Sequence, residues 1–311
     1  MSSKHLVTDI GGTNARFALV EADGNIFDER TLKTGDFKGV VEAAEAYLGG
    51  RAIESVVLVV AGPVESDEIA LTNCPWVFSL EETKVALGVE RLQAMNDFVA
   101  QALAIPRLDA ADLVKLGGGE ALEDRPIVVI GPGTGLGVAG LLKVGDRFRP
   151  IPTEGGHVDF APGDDVEIDV LRLLRQKFGR VSNERLLSGP GLVNFANALA
   201  ELKGGDFEIG DPSEVVARAE TEACPICIEA IDRFCRLLGA AAGDLALSYG
   251  ARGGVYLAGG MIAHLGRWFD VDRVMQAFSD KGRFAAYLAA IPVIRVARTD
   301  TGLIGAAAAV T

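Results

Sequence analysis

The sequence predicts an α/β protein made of two duplicated α/β domains with a ligand cleft between them. Three observations carry that prediction. Apolar runs of strand length alternate with stretches of helical spacing along the whole chain. A glycine-centred pattern occurs twice, at an offset of about 120 residues. Near residue 105 the texture changes, and turn formers gather there. The 311 residues suffice for two domains of ordinary size, each with its own apolar core.

From the N-terminus, "HLVTDI" and "ARFALV" read as two β-runs around the connection "GGTN", a hairpin with a tight turn. Strand signals continue at "GNIFDERTL", "SVVLVVAGPV" and "EIALTN", and a helical pattern fills 38–49. Ser79 with Glu82 forms a capping box that opens a short helix. "RLQAM" is a strand running into the helix "NDFVAQALA", so Asn96 and Asp97 stand at a strand-to-helix junction. The stretch "IPRLDAADLVKLGGGEALEDRP" reads as the crossing between domains, and "PIVVIG" as the strand that opens the second.

Beyond it, helices are expected at about 165–178, 183–188, 190–202, 213–219 and 222–249. "GGVYLAGG" and "IPVIRVA" read as buried strands, and the tail "TGLIGAAAAV" as a helix returning to the first domain. The expected division is a small domain of residues 1–105, joined by a C-terminal helix at about 297–311, and a large domain of residues 106–296.

The repeat sets "IGGTNARFAL" (10–19) against "PGTGLGVAGL" (132–141). Gly12 and Thr13 match Gly133 and Thr134; Phe17 and Ala18 match Val138 and Ala139. Glycine turns of this kind let backbone amides approach phosphate oxygens, and the two threonines add hydroxyl donors. Neither is a Walker loop, since G-x-x-x-x-G-K-[ST] is absent. "GPGTGLG" is followed by the strand-like "VAGLLKV", whereas a dinucleotide fingerprint must open a helix.

A net charge of −13 argues against nucleic acid and anionic membranes as partners. No apolar run approaches the ~18 residues a membrane span needs, and "MSSKHLVTDIGG" lacks the regions of a signal peptide. A cytoplasmic protein is expected. The four cysteines are too few for a disulfide framework. Cys224 and Cys227 form a C-x-x-C without a second ligand pair, and read as small apolar residues of a buried helix.

Three acids and one histidine stand out. Asp9, ending the first strand beside a phosphate turn, fits either a magnesium ion held through water or a cap on the turn. The second copy has Ile130 at the matching position, which favours metal. Asp97 fits a helix N-cap, or the carboxylate that a phosphotransferase needs to orient an acceptor hydroxyl and take its proton. Glu154 and His157, two glycines apart in "PTEGGHVDFAP", could ligate a metal, form an acid/base pair or grip a substrate.

The motifs "DIGGTNARFAL", "TNCPWVFS", "NDF", "GPGTGLGVA", "EGGHVDFAP", "ERLLSGPGLVN", "GGVYLAGGM" and "DKGRF" occur in this order over residues 5–310. In this the chain resembles the bacterial glucokinases, with "EGGHVDFAP" followed by "SNERLLSGPGL" the most specific part. The resemblance implies the actin-like (ribonuclease H-like) sugar-kinase fold and transfer of phosphate from Mg-ATP to the 6-hydroxyl of glucose. It implies Asp97 as base, with Asn96, Asp97, Glu154, His157 and Glu184 on the sugar. ATP would be held by Thr8, Asp9, Gly11, Gly12, Thr13, Gly133, Thr134, Gly135, Gly259 and Gly260, with Mg2+ at Asp9, and the protein would be a homodimer.

The cysteine-rich zinc motif of the related ROK glucokinases is absent, which implies the non-ROK group. Thr153 stands where many relatives have glycine. A kinase of fructose or mannose, or a non-kinase actin-like ATPase, is the alternative reading.

Overall fold

The computed structural model describes residues 4–71 and 74–310. Thr72 and Asn73, in the motif "TNCPWVFS", lie outside them. The chain divides into two compact units: residues 1–110 with 148–152 and 298–311, and residues 111–147 with 153–297.

In the first unit, β1 (Lys4–Ile10) and β2 (Asn14–Glu21) form the expected hairpin, flanked by β3 (Ile26–Lys33), with α1 (Val40–Leu48) next. Then come β4 (Ser55–Val60), β5 (Glu68–Ala70), β6 (Val77–Ser79), α2 (Leu80–Leu87), β7 (Arg91–Asn96) and α3 (Asp97–Ala104). The five-stranded sheet runs β3-β2-β1-β4-β7. Its first two pairings are antiparallel and its last two parallel.

Strand β4, SVVLVV, is buried at all six positions because both faces of the sheet are covered. One face packs Phe17, Leu19, Val56 and Leu58 with Tyr47 and Trp76. The other packs Val7, Val20, Val57 and Val59 with Ala100 of α3 and with Leu303, Ala306 and Ala307 of the terminal helix Thr301–Val310. Small residues let those two helices touch: a Cβ on Gly305 would stand 1.8 Å from the carbonyl oxygen of Ala100.

The second unit contains β8 (Leu113–Gly117), β9 (Ile127–Pro132) and β10 (Leu136–Val144); β11 (Arg147–Pro152) follows. Helices α4 (Asp165–Phe178), α5 (Gly189–Lys203), α6 (Pro212–Thr221) and α7 (Pro225–Tyr249) come next. Then follow β12 (Gly254–Leu257), α8 (Gly260–Leu265), α9 (Val271–Ser279), α10 (Ala285–Ala289) and β13 (Val293–Val296). The order β10-β9-β12-β13 repeats β2-β1-β4-β7, with one antiparallel and then two parallel pairings. α7 crosses this unit and buries Phe234, Leu238 and Ala242 in its core.

Four expectations need correction. The segment read as a bare crossing contains β8, an antiparallel edge strand on β13. Its glycines suggested a loop, but they admit a close neighbour: a Cβ on Gly118 would fall 2.0 Å from the carbonyl oxygen of Ile291. The helix expected at 183–188 is a single 3₁₀ turn, Asn183–Arg185, because Ser188 already caps α5 by accepting from the Gly191 amide. α7 starts at Pro225 rather than near 222, behind Ala223 in a left-handed conformation (φ 48°).

The fourth concerns the repeat. Ile10 pairs with Ala15 around a four-residue turn, whereas Pro132 pairs with Leu136 around a three-residue turn. Before the turn the two hairpins are therefore offset by one more residue than after it. Asp9 corresponds to Gly131, which has no side chain, and Ile130 corresponds to Thr8.

Candidate functional site

In the first unit the turn between β1 and β2 is braced through its carbonyls. The Asn14 oxygen accepts from the Gly11 amide (2.9 Å), the Thr13 oxygen from the Thr34 amide (3.0 Å), and the Gly12 oxygen from the Thr34 hydroxyl (2.8 Å). Among the described residues this leaves the Gly12 and Thr13 amides as the turn's donors toward an anion. Thr13 is exposed, so its hydroxyl is accessible as well.

Asp9 lies beside this turn with its carboxylate 3.2 Å from Nη1 of Arg16, its cross-strand partner. Gly302, in the first turn of the terminal helix, completes its enclosure: a Cβ there would stand 2.7 Å from the Asp9 carboxyl carbon. Burial pushes the Asp9 carboxyl above the ordinary carboxylate value, and the charge and hydrogen bond of Arg16 partly pull it back. One half-enclosed carboxylate is a fitting donor set for magnesium, which keeps most of its water shell and bridges phosphates. Among the described residues no cluster of three or more His, Cys, Asp and Glu side chains could hold an ion by itself.

Thr8 does not reach this surface. It is fully buried, opposite Phe17 on the core side of the sheet, and its hydroxyl has no partner. A direct contact of Thr8 with nucleotide is not supported, because residues facing each other across an antiparallel pair share one face.

At the end of β7 the helix cap is Asn96, not Asp97. The Asn96 side-chain oxygen accepts from the Phe98 amide at 2.8 Å, and its Nδ2 donates to the Gly62 oxygen at 3.1 Å. Asp97 is the first residue of α3 and is partly exposed; its Oδ1 also receives the Phe98 amide, at 3.0 Å. The N-cap explanation for Asp97 is thus taken by its neighbour.

In the second unit, "EGGH" ends in the 3₁₀ turn Gly155–His157. Neither glycine has a positive φ. They are needed for contact instead: a Cβ on Gly156 would stand 1.9 Å from the Leu136 oxygen of β10, and one on Gly155 3.0 Å from the Val138 side chain. Glu154 and His157 remain exposed.

The following residues pair with the chain before Glu184. Phe160 donates to the Val181 oxygen and Asn183 to the Val158 oxygen, both at 3.0 Å, around a bridge between Asp159 and Ser182. This pairing brings His157 Nδ1 to 3.8 Å from Glu184 Oε1. The turn Gly133–Gly135 is in the same cluster, since Leu136 donates to Glu184 Oε2 at 2.9 Å. Its carbonyls also find partners within the protein, Gly135 accepting from the Gly133 amide and Gly133 from the Gly189 amide, both at 2.8 Å. Thr134 is exposed at its tip.

Gly259 adopts φ 87°, and a Cβ there would fall 2.4 Å from the Pro132 oxygen, so only glycine lets the chain pass the end of β9. Gly260 has open space beside it. All four cysteines are free thiols, and burial pushes Cys227 up to about 12, the opposite of a reactive or metal-binding thiolate. No helix among the described residues is long and apolar enough to cross a membrane.

Several residues of this arrangement escaped the sequence reading: Arg16, Thr34, Gly62, Gly302 and Arg180, which donates to the His157 carbonyl oxygen. Only the small residues of "TGLIG" hinted at a close approach by the tail.

The glucokinase family model matches residues 6–311. The chain is 43% identical over 309 residues to the glucokinase of Aromatoleum aromaticum, covering 98% of this chain and 93% of that one. Among solved structures, a glucokinase from an Antarctic psychrotroph superimposes with a TM-score of 0.89 at 36% identity, covering 100% and 99% of the two chains. The Balamuthia mandrillaris glucokinase, solved in complex with glucose, shares the fold at 22% identity with a TM-score of 0.80, covering 99% and 93%. With a family match over residues 6–311 and a relative 43% identical along nearly its whole length, the chain belongs to the glucokinase family.

Proposed function

We propose that the protein is a cytoplasmic glucokinase that transfers phosphate from ATP to the 6-hydroxyl of glucose, and that it works as a homodimer. The observation that carries this reading is the family relationship over residues 6–311, into which the local geometry of both units fits. We assign the working parts to a small domain, 1–105 with the helix at 297–311, and a large domain, 106–296.

In this reading Glu154, His157 and Glu184 hold sugar hydroxyls. Neutral hydroxyls need directed partners, and a carboxylate accepting from them makes charge-assisted bonds about twice as strong as neutral ones. Asn96 has its amide oxygen and one N–H engaged by Phe98 and Gly62, which leaves one N–H for a sugar oxygen. Asp97 orients the 6-hydroxyl and accepts its proton as the phosphoryl group moves. The helix does not depend on Asp97 for its cap, since Asn96 occupies that position and accepts from the Phe98 amide.

Phosphoryl transfer has a loose transition state, so positioning and charge neutralisation dominate over base strength. The amides of Gly12 and Thr13, and those of Thr134 and Gly135, supply fixed partial positive charge to ATP phosphates. Gly259 and Gly260 flank the nucleoside. Asp9, its orientation fixed by Arg16, would hold a magnesium ion through water, and the ion would supply neutralisation of phosphate charge. Thr8 has no part in this scheme.

ADP release measured with glucose, fructose and mannose in turn tests the reading. Glucose-dependent release exceeding that with the other sugars is expected. Preference for another hexose, or release indifferent to sugar, would contradict it.

A further inference from the structure

Glu184 has two different neighbours inside the second unit. Its Oε1 faces His157 at 3.8 Å, while its Oε2 accepts from the amide of Leu136, the residue that follows the Gly133–Gly135 turn. The space for that carboxylate comes from Gly135. A Cβ there would stand 2.6 Å from Glu184 Oε2 and 3.5 Å from its Cδ, whereas a Cβ on Gly133 would meet nothing within 4 Å. Neither glycine has a positive φ, so backbone freedom explains neither of them. What distinguishes the two is the carboxylate.

We propose that Gly135, although it sits in a phosphate turn, is a positioning residue for the sugar, and that the Glu184–Leu136 bond couples sugar binding to nucleotide binding. The proposal rests on the glucokinase reading above. A carboxylate packed against Gly135 and bonded to the Leu136 amide is favoured in one position by the turn, and by the same contact favours one position of the turn. Linkage requires the effect to be reciprocal: whatever nucleotide does for glucose affinity, glucose does for nucleotide affinity.

Titration calorimetry with glucose, alone and with AMPPNP present, tests this. The native protein binds glucose more tightly with AMPPNP. Gly135→Ala weakens glucose binding by about tenfold with no nucleotide present, the scale of one displaced charged hydrogen bond, and abolishes the effect of AMPPNP. Gly133→Ala leaves glucose affinity unchanged. Equal effects of the two substitutions on glucose binding, or no effect of Gly135→Ala, would overturn the proposal.

A second arm separates displacement of Glu184 from general damage to the turn. Glu184→Asp withdraws the carboxylate by one methylene, so adding Gly135→Ala in that background changes glucose binding by less than about twofold, well inside the loss expected for one displaced bond. A further tenfold loss, or a double variant that does not fold when Glu184→Asp does, contradicts the proposal. A native protein that binds no glucose refutes the glucokinase reading itself, a result distinct from any of these.

Discussion

Arg180 donates from Nη2 to the carbonyl oxygen of His157 at 2.6 Å, and its Nε pairs with Asp159 at 2.6 Å. One exposed side chain thus ties the "EGGH" turn to the strand-like segment that leads to Glu184. Arg180→Ala should raise the KM for glucose roughly fivefold, about 1 kcal/mol once solvent exposure is taken into account, and leave kcat within about twofold. Steady-state kinetics at saturating ATP measure both. A fall in kcat with unchanged KM would show that Arg180 does not act through His157.

Asp9 carries a stability cost that its proposed function would require. Its carboxyl is raised by burial, so the folded state binds the Asp9 proton more tightly than the unfolded chain does. The associated stability is present below the unfolded carboxylate value, about 3.9, and is lost as pH rises through the higher folded value. Above that window the native protein holds a costly ionised group, and Asp9→Asn removes it. The variant should melt about 2 °C higher at pH 7, on the order of 1 kcal/mol. That gain should vanish as pH falls below 4, while ATP turnover at low magnesium drops at least tenfold. Equal melting temperatures at pH 7 would show that Arg16 already offsets the burial in full.

Gly156 tests the claim that "EGGH" needs its glycines for contact rather than for an unusual backbone angle. With the Leu136 oxygen 1.9 Å from the place of a Cβ, Gly156→Ala must push the turn off β10. A loss of about 1–3 kcal/mol in urea unfolding is expected, together with weakened glucose binding. Gly260→Ala, which meets nothing within 4 Å, should leave stability unchanged. If both substitutions cost the same, close approach is not what selects glycine at 156.

The sequence carries its long-period signals plainly and its close contacts poorly. Strand β4 and α7 could be read because burial on both faces, or along one helical face, imposes a pattern over many residues. β8 could not, because a five-residue edge strand with exposed Lys115 in its middle alternates too briefly and its glycines resemble a loop. The repeat revealed the duplication, yet it misaligned Asp9 with Ile130: one turn is a residue shorter, and only the hydrogen-bond register shows where the gap falls. "EGGH" and Glu184 were legible as a group through resemblance. Arg180 and Gly302 were not, since they reach their partners by folding across 23 and 293 positions of sequence.

In the proposed reaction Asp97 accepts the proton of the sugar hydroxyl while its neighbour Asn96 caps α3. Because the cap lies elsewhere, Asp97→Asn should leave the helix and the fold intact, and the variant keeps the shape of the side chain. Glucose titration calorimetry combined with initial-rate turnover on this variant is the most direct test. The expected result is a glucose Kd within about threefold of the native value and a kcat lower by 10²–10⁴, roughly the contribution of one general base. Normal turnover with Asn at position 97, or loss of glucose binding by the folded variant, would contradict this role for Asp97.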